Sequence, residues 1–243
     1  MSKTASAADL SLVKQMGRKA RQNDRIYEEM FTAILEQRLA PGTKLSEDTL
    51  GEIFGVSRTV VRTVLQRLAH ERIVRIHANR GAFVSEPTPE EAREVLQARR
   101  LIEEGVMRLA VMRRTGADID ALRHMVSEEQ QSLDKGAHET WVRQSGDFHL
   151  KLATVAGSET LAAYVKELVS RTSLIIVQYQ KGASSSCSCD EHTEIIDAIE
   201  AQDEERAVTL MLQHLQACEE QLNLKTEEAA KDLYAVFSNI SDT

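Results

Sequence analysis

Proline is scarce in this chain, and where it stops is the first clue to the architecture. There are three prolines, and none follows Pro89. A long proline-free stretch with recurring 3- and 4-residue apolar spacing implies that everything after it is helical. Aromatic residues make up only 4% of the sequence, too few for the stacking platforms that hold single-stranded nucleic acid. No apolar run of about 18 residues occurs, so no membrane span is expected. Residues 1–20 lack the apolar core and cleavage pattern of a secretory signal. The cysteines, Cys187, Cys189 and Cys218, form no even framework and suggest a reducing, cytoplasmic setting. Cys187 and Cys189 are a metal or redox pair only if their context supplies partners; free loop thiols are the plainer reading.

A chain of 243 residues has room for two domains. Its formal net charge of −8 hides an asymmetry. Residues 1–85 carry 14 Lys and Arg against 9 Asp and Glu, whereas the remainder carries 16 against 29. The first part suits phosphate contacts, and the second avoids them. Lys3, Lys14, Arg18, Lys19 and Arg21 show little periodicity, so residues 1–21 are expected to form a flexible basic arm.

Ile26 to Leu39 alternates as an amphipathic helix and stops at Pro41-Gly42. Leu45 and Leu50 frame a short second helix with Ser46 as its N-cap. After Gly55, Ser57 can cap a third helix whose buried face is Val60, Val61, Val64, Leu65 and Leu68. Ser57, Arg58, Thr59 and Arg62 then occupy its N-terminal end, the part of a recognition helix that meets bases and phosphates in a major groove. An ordinary helix hairpin with exposed arginines is the competing reading. The flank favours the first: two short strand-like runs, Ile73–Ile76 and Ala82–Val84, enclose the turn Ala78-Asn79-Arg80-Gly81. Three helices and a hairpin make a winged helix-turn-helix, with Asn79, Arg80 and Gly81 at the wing tip facing the DNA backbone.

These segments resemble the GntR family of bacterial transcription regulators. The resemblance rests on residues 39–45 (Leu-Ala-Pro-Gly-Thr-Lys-Leu), 54–62 (Phe-Gly-Val-Ser-Arg-Thr-Val-Val-Arg) and 79–84 (Asn-Arg-Gly-Ala-Phe-Val). Family members usually have Pro at Val60 and Glu at Thr63, and some carry a basic residue near Asp48. One recognition helix per half-site, and the small footprint of a single wing domain, predict a homodimer on a palindromic double-stranded operator.

Residues 86–91 read as a linker that starts a helix, with Thr88 as N-cap, Pro89 at the first helical position and Glu91 closing a capping box. Helices are expected near 89–114, 118–135, 138–156, 158–181, 189–201, 203–225 and 227–238. Gly116, Gly136, Gly157 and Gly182 punctuate them as C-caps. The fold class is therefore mainly α: an N-terminal winged helix-turn-helix (22–85) and a C-terminal all-α bundle for ligand binding and dimerisation (92–226), then a helical tail (227–243). The long first and fourth helices of the bundle are the candidate dimer interface.

The chemistry of the second domain lies in its histidines. His149, His192 and His214 fall on three different helices beside apolar positions. Three imidazoles converging in a bundle core make an open site for Zn, Ni, Mn or Fe. Separately placed core histidines are the alternative. Arg99, Arg100, Leu101, Ile102 and Glu103, then Phe148-His149, Glu191-His192 and His214 resemble the FadR C-terminal ligand-binding domain across most of residues 92–222. That resemblance implies a divalent metal on the three histidines and an aspartate, with an organic acid beside it. Ser145 stands in the aspartate's place. Arg99 and Glu103 are either a helix-surface ion pair or, with Arg99 turned inward, part of a carboxylate site. Arg171 is a second candidate clamp or a structural salt bridge, and Tyr179, Gln178 and Cys187 are candidates for the same cavity. Trp141 is read as core. A metal-free sensor with structural histidines, a three-histidine metallohydrolase and a DNA-binding scaffold are the other readings. The hydrolase lacks a His-Glu-x-x-His pair and an obvious general base.

Overall fold

The computed structural model describes residues 7–36, 38–180 and 189–224, and the side chains of these from residue 21 onward except 138 and 139. Helix α1 spans Ala7–Leu35. This corrects the expected arm from residue 7 on. Residues 7–25 hold Ala, Leu, Lys, Gln and Arg and no proline, and such residues propagate a helix without needing an apolar stripe. Residues 1–6 lie outside the described residues.

The chain turns through Gly42, at φ +76°, into β1 (Lys44–Leu45), α2 (Glu47–Phe54), α3 (Arg58–His70), β2 (Val74–His77) and β3 (Gly81–Val84). The Ser46 hydroxyl caps α2 by accepting from Thr49 N at 3.4 Å. Gly55 ends α2 at φ +63°, the left-handed turn that lets α3 leave at an angle. Ser57 holds the N-cap position of α3 in extended backbone, but its hydroxyl makes no capping bond, contrary to expectation. The strands form an antiparallel sheet in the order β1-β3-β2. Asn79 at φ +60° and Gly81 at φ +93° turn the β2–β3 wing. Strand β1 pairs Lys44 with Phe83 and was not anticipated, since two residues are too short to show alternation. Val61, Val64, Leu65 and Leu68 of α3 pack on Ile26, Met30 and Ile34 of α1 and on Val74 and Val84 of the sheet.

Six helices follow among the described residues: α4 (Pro89–Arg113), α5 (Gly116–Asp134), α6 (His138–Val155), α7 (Glu159–Tyr179), α8 (Cys189–Glu200) and α9 (Glu204–Glu220). Helix α4 opens on the expected capping box, with Glu91 N donating to Thr88 Oγ1 at 3.1 Å and Thr88 N to Glu91 Oε2 at 2.9 Å. Gly116 is the first residue of α5 and not a C-cap; Thr115 and Asp118 box that helix start. Helix α9 ends at Glu220, short of the expected 225, because the chain turns into an isolated bridge between Leu222 and Gln180. Gly182 and residues 227–238 lie outside the described residues. Phe148, Leu152, Ile195, Ile199 and Met211 sit in the bundle core. Leu174 of α7 is buried in the core of the winged domain, so this helix joins the two units. No described helix is long and apolar enough to cross a membrane.

Candidate DNA interface and metal centre

Burial of Val60, Val61 and Val64 on one side of α3 leaves Ser57, Arg58, Thr59 and Arg62 exposed at its N-terminal end. Acids from the first turn of α2 hold both arginines. Arg58 pairs with Asp48. Arg62 forks onto Glu47, with Nε–Oε1 at 2.9 Å and Nη2–Oε2 at 2.6 Å. The Arg62 hydrogen bond holds the Glu47 carboxyl below its usual range. Exposed pairs like these contribute little to stability, so a phosphate or a guanine edge can displace them. Asn79, Arg80 and Gly81 are exposed at the wing tip.

The second site lies deep in the bundle. His149 of α6, His192 of α8 and His214 of α9 are buried, and one ring nitrogen from each lies within 4.8 Å of the others. A carboxylate holds the outer nitrogen of each ring. His149 Nδ1 meets Glu103 Oε2 at 2.5 Å, His192 Nδ1 meets Glu129 Oε2 at 2.9 Å, and His214 Nδ1 meets Glu191 Oε2 at 2.7 Å. Carboxylate partners assign the proton to Nδ1 on each ring, which leaves the Nε2 lone pairs as acceptors. His192 Nε2 and His214 Nε2 face each other at 3.3 Å. Two Zn–N bonds of about 2.0–2.1 Å at a tetrahedral angle produce a separation of about this size. Phe148 stacks on His192 with centroids 4.0 Å apart, fixing that ring.

Electrostatics agree with neutral imidazoles at His149 and His192. Burial pushes His149 down to about 3, against the pull of Glu103. Burial, then the His214 charge, pushes His192 well below its ordinary value. Burial alone would raise Glu103, but the Arg99 charge and the hydrogen bonds with His149 and Arg99 outweigh it and hold the carboxyl at about 2. Burial raises Glu129 to about 7, with His214, Ser145 and Trp141 opposing. A neutral imidazole with its second nitrogen fixed by a carboxylate is the state a divalent metal binds, so this donor set fits one.

A cavity of about 30 Å³ adjoins His149 and His214 and is also lined by Arg99, Ser145, Thr172 and Ser173. It has room for an occupant of about the size of water and little more. Arg99 does turn inward, 5% exposed, and donates to Glu103. Glu103 is therefore a support for His149 and Arg99, not a surface group. Three expected cavity residues lie elsewhere, among them Gln178, whose Nε2 donates to the Tyr179 hydroxyl at 3.1 Å. Arg171 faces the junction with the winged domain, beside Glu167 at 3.6 Å. Tyr179 donates its hydroxyl to Pro87 O at 2.7 Å and braces the linker. Both sit on α7, which is buried on more than one side, so apolar neighbours could not tell which cavity each faced. Glu129 and Glu191 escaped sequence reasoning; Glu191 stood in the Glu-His pair, but nothing local marks Glu129. Trp141 is buried as expected. Cys189 is a free thiol, as expected, but buried at the start of α8 and not in a loop. Cys218 is disulfide-bonded, which corrects the reading of cysteines without a framework in a reducing setting. Cys187 lies outside the described residues.

A winged helix-turn-helix anchored to a bundle with a buried polar cluster defines a ligand-responsive, DNA-binding transcription regulator. Residues 22–84 match the gntR family of bacterial regulatory proteins, and residues 94–217 match the FCD domain, the FadR C-terminal type. The chain belongs to the GntR family. It is similar to the regulator LutR of Bacillus subtilis (strain 168), 30% identical over 220 residues that cover 78% of this chain and 96% of LutR. The Nta operon transcriptional regulator of Aminobacter aminovorans is 25% identical over 194 residues, covering 80% of this chain and 91% of its own. Among solved structures, E. coli McbR/YncC has the same fold, with a TM-score of 0.72 at 21% identity over 81% of this chain and 94% of that one. A GntR regulator from Rhodococcus sp. RHA1 gives 0.72 at 24% identity over 83% and 97%. These relatives are named as regulators, which removes the metallohydrolase reading.

Proposed function

We propose that this regulator acts as a homodimer on a palindromic double-stranded operator and answers to a small organic acid bound beside a divalent metal. The observation that supports the metal is the set of three imidazoles, each fixed at Nδ1 by its own carboxylate. His149, His192 and His214 would hold Zn, Ni, Mn or Fe, and the metal would supply a positive anchor for one carboxylate of the effector. Ser145 leaves room for water or that carboxylate, and Arg99 takes the other end.

The cavity is too small for an organic acid as it stands, so entry requires α7 or α9 to shift. Helix α7 faces the cavity through Thr172, Ser173 and Ile176 and the winged domain through Leu174. A shift of α7 thus alters how the wings are held. Effector and operator must then change each other's affinity by the same factor.

Leu101 and Met112, about three turns apart on α4, are 69% and 68% exposed, and Tyr164 on α7 is 52% exposed. These exposed apolar side chains support the long helices as the dimer interface. In solution the particle should have twice the 27.2 kDa chain mass. The test of the switch is a gel shift on an operator selected from random duplexes, with metal present and a panel of small carboxylates. One of them should change operator affinity, and EDTA should abolish the change. A response that survives EDTA would make this a metal-free sensor with structural histidines.

A further inference from the structure

Arg171 lies away from the histidines, in a setting that resembles a binding site of its own. A cavity of about 480 Å³ separates the winged domain from the bundle, walled by Arg72, Val74, Arg75, Pro87, Arg171 and Leu174 among others. That volume falls in the range of small-molecule sites. Arg75 is committed to Glu91, at 2.5 Å. The other two guanidiniums are not. Arg72 Nε and Arg171 Nη1 flank a single oxygen, Glu167 Oε1, at 3.8 and 3.6 Å, beyond hydrogen-bond length. Among the described residues Arg171 makes no hydrogen bond, although its side chain is only 19% exposed and has five N–H donors. Burial and the neighbouring Arg72 charge push this guanidinium below its ordinary pKa, against the pull of Glu167, Glu91 and Glu94.

DNA is a poor occupant. Arg72 follows the C-terminal end of α3, about 20 Å along the helix from the residues that face the groove. We propose that this cavity binds a small oxyanion, a phosphate- or carboxylate-bearing metabolite, with its anionic group on Arg72 and Arg171 and its body against Val74, Pro87 and Leu174. The paired guanidiniums match a two-oxygen anion, and Val74, Pro87 and Leu174 offer apolar contact to its body. Arg72, Val74 and Arg75 belong to the winged domain, Pro87 to the linker, and Arg171 and Leu174 to α7, so an occupant bridges the units and sets the angle at which the wings are held. The site is independent of the histidine cluster.

Calorimetric titration of the full chain in EDTA, with inorganic phosphate in one arm and citrate in the other, tests this. At least one probe should bind saturably, and the arm that binds identifies the headgroup. Arg171→Gln and Arg72→Gln should each weaken it by about tenfold or more, with unchanged helical circular dichroism. Arg72 is exposed, so its variant keeps the test valid if Arg171→Gln does not fold. No binding of either probe at millimolar concentration, or binding unaffected by either variant, would overturn the proposal.

Discussion

Glu129 Oε2 lies 2.9 Å from His192 Nδ1, and both side chains are sealed from solvent, at 1% and 0% exposure. The carboxylate reaches in from α5 and the imidazole from α8, so neither residue owes its place to the other's sequence position. Their contact fixes which nitrogen of His192 is free to bind metal. Glu129→Gln keeps the shape and an acceptor but removes the carboxyl whose ionised form makes the ring a strong donor. Metal affinity should fall about 10–100-fold, read by chelator competition, while DNA affinity without effector stays as it was. Unchanged metal affinity would reduce Glu129 to a packing residue.

Arg58→Ala and Arg62→Ala should each weaken binding to a selected operator by roughly 5- to 150-fold, if these side chains read bases. The reciprocal changes, Asp48→Asn and Glu47→Gln, remove the acids that hold the arginines back. They should strengthen DNA binding, most at low salt. Gel shifts across a salt series separate the two effects, and wild-type affinity in both arginine variants would contradict the assignment of α3.

These residues also show how far the sequence could lead. Helix α3 was legible because its valines and leucines recur at helical spacing and the turn residues on either side are specific. The three histidines were legible one by one, each beside apolar neighbours, and their convergence came from resemblance. Glu129 was not legible, since its partner is 63 positions away. Arg171 was misplaced for a different reason. Helix α7 presents Thr172, Ser173 and Ile176 to one cavity and Arg171 and Leu174 to another. A helix buried on two faces has no polar side from which periodicity could set its orientation.

Gly146 lets α6 approach α7 beside the three-histidine cluster. A Cβ there would meet Val169 Cγ1 at 2.9 Å, and the stiff valine cannot swing clear. Gly146→Ala should destabilise the chain by about 1–3 kcal/mol, a fall in Tm of roughly 2–10 °C. A Tm equal to wild type would mean that the two helices part without cost.

Asp118 accepts from Lys151 Nζ at 2.8 Å and from the Thr115 hydroxyl at 2.7 Å. Lys151 first, then Thr115, hold its carboxyl at about 2, below the ordinary 3.8. A depressed carboxylate stabilises the fold above its unfolded pKa and loses that contribution as pH falls through the folded value. Thermal melts of Asp118→Asn should therefore fall below wild type at neutral pH and converge with it between about pH 4 and pH 2. A constant gap over that window would rule out ionisation as the cause.

Metal content tests the central claim most directly. The full chain, purified without chelator and dialysed against Zn, Ni, Mn or Fe, should retain about one divalent ion per chain by elemental analysis. The variant with His149→Ala, His192→Ala and His214→Ala should keep its helical circular dichroism and its basal DNA binding, and hold almost none. A wild-type chain that cannot be loaded with any of these metals would contradict the account and leave the three histidines as core residues of a metal-free sensor.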